Sequence, residues 1–201
     1  MTNILIDSLP QSIVSGGREY SIRADFRISV MFESMMEDSE VRNEDKLGLA
    51  LGMYYPEIPQ DIEDAVDKML WFYKCGKEAN SYEKKLSERQ AAKDRIYSFD
   101  YDDDYIFAAF LHQYRIDLNR VKFLHWWKFR AMFKSLTEDN EFVKIMGYRS
   151  IDISNDMSKS QKDFYRKMKR IHQIPQSKDE QERQDEITSI LMKGGDLTGL
   201  L

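Results

Sequence analysis

The sequence is poor in several features that mark particular classes of protein. Its 201 residues include one cysteine, Cys75, which excludes an internal disulfide and fits a reducing compartment. Bulky apolar neighbours in "WFYKCGK" indicate a packing role for this thiol. No apolar run approaches the roughly 18 residues of a membrane span, and the N-terminus lacks the pattern of a secretory signal. We therefore expect a cytoplasmic protein that does not contact a membrane.

Motifs of the common catalytic and metal sites are missing as well. The sequence has neither a glycine-rich phosphate loop nor an HExxH zinc motif. Four aspartates stand within residues 100–104, "DYDDD", but the glycine and glutamate of a Ca²⁺ loop do not follow at the required spacing. We interpret Asp102, Asp103 and Asp104 as the start of a helix, where unpaired N–H groups and the helix dipole favour negative charge.

Two histidines, His112 and His125, are candidates for a metal site, but no third ligand accompanies them at an evident spacing. Ordinary core or hydrogen-bonding roles are therefore expected. Together with the missing motifs, this predicts a protein that is not an enzyme and that has no cofactor and no metal.

The charge balance is acidic overall and basic in one segment. Thirty basic residues against 35 acidic ones give a net charge of −5, which argues against a nucleic-acid partner. The segment "SKSQKDFYRKMKRIHQ" nevertheless has six Lys or Arg between Lys159 and Arg170. Its apolar side chains are Phe164, Tyr165, Met168 and Ile171. We predict an amphipathic helix near 159–173 that has a solvated basic face, or that packs on the body of the protein or on an acidic partner.

The remaining composition supports a core made mainly of helices, since 42% of residues are hydrophobic and 12% are aromatic. Short β-prone runs flank Gly16-Gly17 in "SIVSGGREYSI", which predicts a hairpin. Asp25 then caps a predicted helix. The apolar face of that helix is predicted to be Phe26, Val30, Met31 and Met35. The expected fold class is a mainly α domain with a short N-terminal β-hairpin.

Further helices follow from apolar spacing. One is predicted in "NEDKLGLALGMYY" and ends before Pro56 and Pro59. The next has an apolar face of Ile62, Ala65, Val66, Met69 and Phe72, and the helix after the aspartates has one of Ile106, Phe107, Phe110, Leu111 and Tyr114.

The segment "RIDLNRVKFLHWWKFRAMFKSL" is the most aromatic part of the chain, and Asp117 is a plausible cap for a helix within it. The apolar arc is wide: Phe123, Leu124, Trp126, Trp127, Phe129, Met132 and Phe133. Either this helix lies at the centre of the fold, or one flank is an interface with Trp and Phe as anchors.

The domain organisation predicted is a single helical domain with its hairpin over 1–172, then a charged linker and mobile tail over 173–201. Residues 77–95 are predicted to be a charged exposed segment, and "YRSIDISND" after Gly147 a loop. A short apolar stripe near the end of the tail is expected to dock on a neighbouring subunit or on a partner. The candidate partner-binding residues are Trp126, Trp127, Phe133, Ile187, Ile190 and Leu191.

Several short strings along the chain resemble a protein family of tailed phages that infect Gram-positive bacteria. The family is named after gene product fifteen of one siphophage. The strings are "RADFRISVMFE", "WFYKCGK", "FAAFLHQYRIDL", "LHWWKF" and "IMGYRSIDIS". The resemblance covers roughly residues 1 to 172 and concerns fold signatures, so it supplies no catalytic residues.

The resemblance implies a tail assembly chaperone, because such genes lie among the tail genes and the family is similar to the chaperones of long-tailed phages. The implied partner is the tape measure protein, with the tail tube protein as a second one, in the host cytoplasm. Many copies are implied, hence a homo-oligomer. Eleven methionines would suit adaptable surfaces or fill the core, among them Met31, Met35, Met36, Met132 and Met146. The alternative function is a structural virion component of the tail or of the head-tail junction.

Overall fold

The computed structural model describes residues 3–77 and 95–175. Within these ranges a β-hairpin is followed by seven helices, which confirms the predicted fold class. The elements are β1 Ser12–Ser15, β2 Arg18–Ser21, α1 Phe26–Glu37, α2 Asn43–Tyr54, α3 Ile62–Tyr73, α4 Asp103–Tyr114, α5 Trp126–Lys134, α6 Glu141–Ser150 and α7 Lys159–Ile171.

Across these same ranges, no helix combines the length and the apolar character that crossing a bilayer requires.

The hairpin forms at the predicted glycine pair. Gly16 and Gly17 have φ angles of 57° and 77°, the positive values that a two-residue hairpin turn requires. The strands pair antiparallel, and Ile13 faces Tyr20 across them. Both of these side chains are buried, so one face of the hairpin covers the helical core.

Helix α1 begins where predicted but is rotated relative to the predicted face. Asp25 is its N-cap and accepts a hydrogen bond from the N–H of Arg27 at 3.1 Å. Met31, which was predicted on the buried face, is 47% exposed. The small Ser29 turns inward instead, because it accepts a hydrogen bond of 2.8 Å from the buried Tyr54 hydroxyl. Phe32 is therefore buried in the place predicted for Met31.

Helices α2 and α3 form where predicted, except that Ile62, predicted on the apolar face of α3, is 46% exposed because it is the first residue of that helix. Helix α2 ends at Tyr54, just before Pro56, and α3 buries Ala65, Met69 and Phe72. The face of α4 is narrower than predicted. Ile106, Ala109 and Phe110 are its buried residues, whereas Leu111 is 40% exposed.

The prediction that Asp117 caps the aromatic helix is wrong. Helix α5 begins at Trp126, and its N-cap is His125. Residues between α4 and α5 stay in a loop because Arg27 donates to the carbonyls of Leu118 and Val121 at 2.7 and 2.8 Å. Asp117 instead accepts bonds from nearby N–H groups inside that loop.

The starts of α1 and α5 lie side by side. The N–H of Phe26 donates to Leu124 O at 2.9 Å, and the N–H of Trp126 donates to Ala24 O at 2.8 Å. Phe129 of α5 then stacks between Phe26 and Phe110, with ring centroids 4.7 and 4.8 Å away. The core of the described chain is centred on this stack of aromatic rings.

The loop predicted directly after Gly147 begins later than expected. Helix α6 continues through Gly147 to Ser150, so the helix includes Tyr148 and Arg149. The basic helix predicted near 159–173 is confirmed as α7, and it packs on α6.

Candidate partner-binding surfaces

Trp126 and Trp127, two of the predicted anchors, are buried at the start of α5. They are 1% and 3% exposed. Their indole N–H groups donate to the carbonyls of Tyr73 and Phe72 at 2.9 and 2.8 Å, which satisfies the two polar atoms inside the core. This agrees with the first of the two positions predicted for this helix, at the centre of the fold. Partner binding by these two residues stays a prediction.

Phe133, the third predicted anchor in this region, is half-buried and lines an open cavity of about 350 Å³. The cavity lies between α5, α6 and the segment that precedes α4. Its wall is mostly apolar, with Arg130 and Lys134 as its basic residues. Trp126 also lines it, whereas Trp127 does not. The structure thus brings two predicted anchors to one concave surface.

A polar network fixes one side of this cavity. Glu33 of α1 accepts hydrogen bonds from the hydroxyls of Tyr73 and Tyr97 at 2.5 and 2.7 Å. Burial raises the pKa of both phenols, and the neighbouring Glu33 carboxylate raises it further, so both stay protonated donors. The Arg130 guanidinium lies over the Tyr73 ring at 5.3 Å. Sequence spacing gave no signal for this group, because its members come from elements far apart in the chain.

The aspartate cluster is only partly what the sequence predicted. Asp103 and Asp104 are exposed in the first turn of α4, as expected for residues that favour a helix start. Asp102 holds the N-cap position, but its side chain makes no capping bond. It is fully buried and forms a two-pronged ion pair with Arg149, at 2.6 and 2.8 Å. The role predicted for Asp102 is therefore corrected from helix dipole to buried charge pair.

The Asp102–Arg149 pair joins three parts of the fold. Asp102 also accepts from the N–H of Ser98 at 3.0 Å. Arg149 also donates to Ile96 O at 3.1 Å and to His172 O, just past α7, at 2.5 Å. Burial without these partners would carry a large desolvation cost, so the pair fixes the seam between α4, α6 and the end of α7.

The predicted hydrogen-bonding role of His125 is confirmed. Its Nδ1 accepts from the N–H of Trp127 at 3.1 Å, and its Nε2 lies 2.9 Å from Pro10 O. Burial lowers the pKa of His125, which favours the neutral ring that this arrangement needs. His112 is exposed on α4. In residues 3–77 and 95–175, no group of His, Cys, Asp or Glu is placed to hold a metal ion.

Cys75 packs against the core just after α3, as predicted. Burial raises the pKa of its thiol, which disfavours the reactive thiolate.

The apolar side of α7 faces partly toward α6 and partly outward. Phe164 contacts Tyr148 of α6 edge-on at 6.1 Å, yet it remains 48% exposed, and Ile171 is 52% exposed. All of α7 lies in the described part of the chain, and none of its side chains is fully buried. Helix α7 therefore packs on the body of the protein with only part of its apolar surface.

The other predicted anchors, Ile187, Ile190 and Leu191, lie outside the described residues, as does most of the predicted charged segment 77–95. Their roles stay predictions.

The sequence profile of a family described as Bacteriophage Gp15 protein matches residues 5–174. The match spans both strands, all seven helices and the cavity beside α5, and it confirms the resemblance seen in the sequence. No curated protein and no solved structure matches the chain significantly.

Proposed function

This chain belongs to the Bacteriophage Gp15 protein family, and from that premise we propose that it is a tail assembly chaperone of a long-tailed phage. Membership places it among phage structural or morphogenesis proteins. In the proposed role it binds the tape measure protein in the host cytoplasm, before tail tube subunits polymerise around that rod. It needs only non-covalent contacts for this role, repeated along a long partner.

The observation that carries the proposal beyond the family is the cavity beside α5. Its volume of about 350 Å³ is near the lower end of the range for small-ligand sites, and its wall is apolar and aromatic. A tape measure protein is a long helix with repeated apolar stripes. Helices of that kind bind through a few apolar side chains that enter a groove, so this cavity suits one or two such anchors.

The rest of the wall suits the same partner. Phe133 offers a ring surface, Met146 offers an adaptable side chain, and Arg130 and Lys134 offer positive charge beside them, whereas Trp126 is only 1% exposed. A partner helix with acidic residues next to its apolar stripe would match both features.

The test is to fill the cavity without disturbing the core. Val143 lines the cavity from α6 and is half-buried, so Val143→Phe should occupy the space that a partner side chain would enter. Lys144→Phe is the matched control, because it adds the same ring to the exposed neighbouring position. We expect capture of the tape measure protein to weaken about ten-fold or more with Val143→Phe and to stay near wild type with Lys144→Phe. If both variants keep their melting temperature and capture the tape measure protein equally well, the cavity is not its binding site.

A structural virion component is the alternative function, since membership of this family is compatible with either role. Quantification of the protein in purified phage particles separates the two. A chaperone is absent from finished particles, whereas a tail or head-tail component is present at a fixed number of copies.

A further inference from the structure

A second concave surface runs along α1, away from the cavity beside α5. It has a volume of about 690 Å³, and Val30, Met31, Met35 and Met53 give it an apolar floor. Met31, which the sequence placed in the core, is exposed here. Thioether side chains adapt to varied partners, so this floor suits an apolar strip of another protein. We call this surface the methionine groove.

The rim of the methionine groove is acidic. In the part of the chain that the structure describes, Glu37, Asp38 and Asp100 line it, and the one basic residue in that lining, Arg95, pairs with Glu37 at 2.9 Å. Burial raises the pKa of Glu37; Arg95 opposes this, while Glu33 and Asp100 add to it. Three carboxylates around one cation leave a negative surface beside an apolar floor. The matching occupant carries apolar side chains and positive charge together.

Helix α7 has this combination on its exposed side. Phe164, Lys167 and Ile171 are spaced at i, i+3 and i+7, which places them along one strip of the helix. Arg170 is exposed next to that strip. Over its thirteen residues α7 has six basic side chains and one acidic one. Strip and groove are thus complementary in both polarity and charge.

We infer that the methionine groove binds helix α7 of a second copy of this chain. The groove's own α7 cannot fill it, because that helix is held on α6 by the contact of Phe164 with Tyr148 and by the bond from Arg149 to His172 O. Among the described residues that follow α7, Ile174 and Pro175 line the groove of their own chain, after the helix has ended.

The resulting contact joins two different surfaces, so it is heterologous. When two copies bind in this way, one copy still has an unoccupied groove and the other still has an unbound α7. Further copies can bind at these two surfaces, so the contact repeats into a ring or an open chain. This self-association is independent of the proposed function and is measured on the purified protein alone.

Charge reversal tests the pairing directly. The helix-reversed variant is Lys167→Glu/Arg170→Glu, and the groove-reversed variant is Asp38→Lys/Asp100→Lys. All four side chains are exposed, so both variants should keep their helical circular dichroism and melting temperature. By sedimentation velocity, each variant alone should associate about ten-fold or more weakly than wild type, because like charges then face each other.

Mixing the two variants should restore association. The acidic α7 of one then meets the basic groove of the other, and the native pair forms at the next contact. The matched control is Lys162→Glu/Lys169→Glu, which makes the same charge change on the opposite side of α7, because these two residues are i and i+7 and lie away from the strip. It should associate about as well as wild type. A wild-type protein that stays monomeric, a control that weakens association as much as the strip variant, or a mixture that fails to recover would each overturn the inference.

Discussion

Helices α5 and α7 both combine aromatic and basic side chains, yet they lie in opposite environments. In α5, Trp126, Trp127 and Phe129 are nearly inaccessible. In α7, Phe164 and Ile171 are about half exposed. The two helices also differ in how their first turns are stabilised. Helix α7 begins with a complete capping box, in which Ser158 and Gln161 exchange side-chain to backbone bonds of 3.2 and 2.9 Å.

The comparison teaches that apolar content alone does not decide whether a helix is core or surface. Helix α5 depends on tertiary partners, since its indoles donate to carbonyls at the end of α3 and its N-cap is a buried histidine. Helix α7 is stabilised by its own cap and needs less burial to form. Its apolar strip therefore remains available for a partner.

The largest expected effect is on the α5 side. Trp127→Ala removes a large buried side chain and its hydrogen bond to Phe72 O, so we expect the free energy of unfolding to fall by about 3–5 kcal/mol. Chemical denaturation measures this. If the free energy of unfolding falls by less than about 1 kcal/mol, either the neighbouring side chains move into the space that Trp127 leaves, or its ring packs less tightly than described.

The seam between the two regions comes next. Arg149→Met keeps much of the apolar stem but leaves the Asp102 carboxylate buried without its partner, so we expect a loss of about 3 kcal/mol. Asp102→Asn together with Arg149→Met removes both charges and should recover a large part of that loss. A double variant no more stable than the single one would show that the lost bonds to Ile96 and His172, rather than the unpaired charge, dominate.

A smaller effect concerns the cap of α5 and depends on pH. The folded-state pKa of His125 is lowered from its ordinary value of 6.5, so the unfolded chain takes up a proton first as the pH falls. The stability tied to this group is therefore complete above about pH 6.5 and is lost as the pH falls toward the folded pKa. His125→Asn retains a capping side chain but does not titrate. Its melting temperature should fall less than that of wild type between about pH 7.5 and 5.5. Parallel curves for the two proteins would contradict this role.

The smallest effect on stability is expected on α7. Phe164→Ala removes a ring that is half exposed, so the free energy of unfolding should change by about 1 kcal/mol or less. The same variant should weaken self-association. A loss as large as that of Trp127→Ala would erase the contrast between the two helices.

Local sequence patterns predicted the elements well where the causes are local. The hairpin depends on two adjacent glycines, the start of α1 on Asp25, and the end of α2 on the proline that follows. Each of these signals acts over a few residues, so the sequence alone displays it.

The wrong predictions concern residues whose positions are set by contacts with distant parts of the chain. Arg27 holds the loop before α5, so Asp117 does not start that helix. Arg149, 47 residues away, draws Asp102 into the interior. Tyr54 turns Ser29 inward and Met31 outward. No spacing rule connects these pairs. For the same reason the sequence named Met31 and Met35 for an adaptable surface but did not reveal the acidic residues beside them in the groove, nor the network around Glu33.

The most direct test of the central claim is co-expression of this chain with the tape measure protein of the same phage, followed by size-exclusion chromatography. The account predicts that the tape measure protein becomes soluble and elutes together with several copies of this chain. A tape measure protein that stays insoluble, while this chain elutes by itself, would contradict the chaperone function.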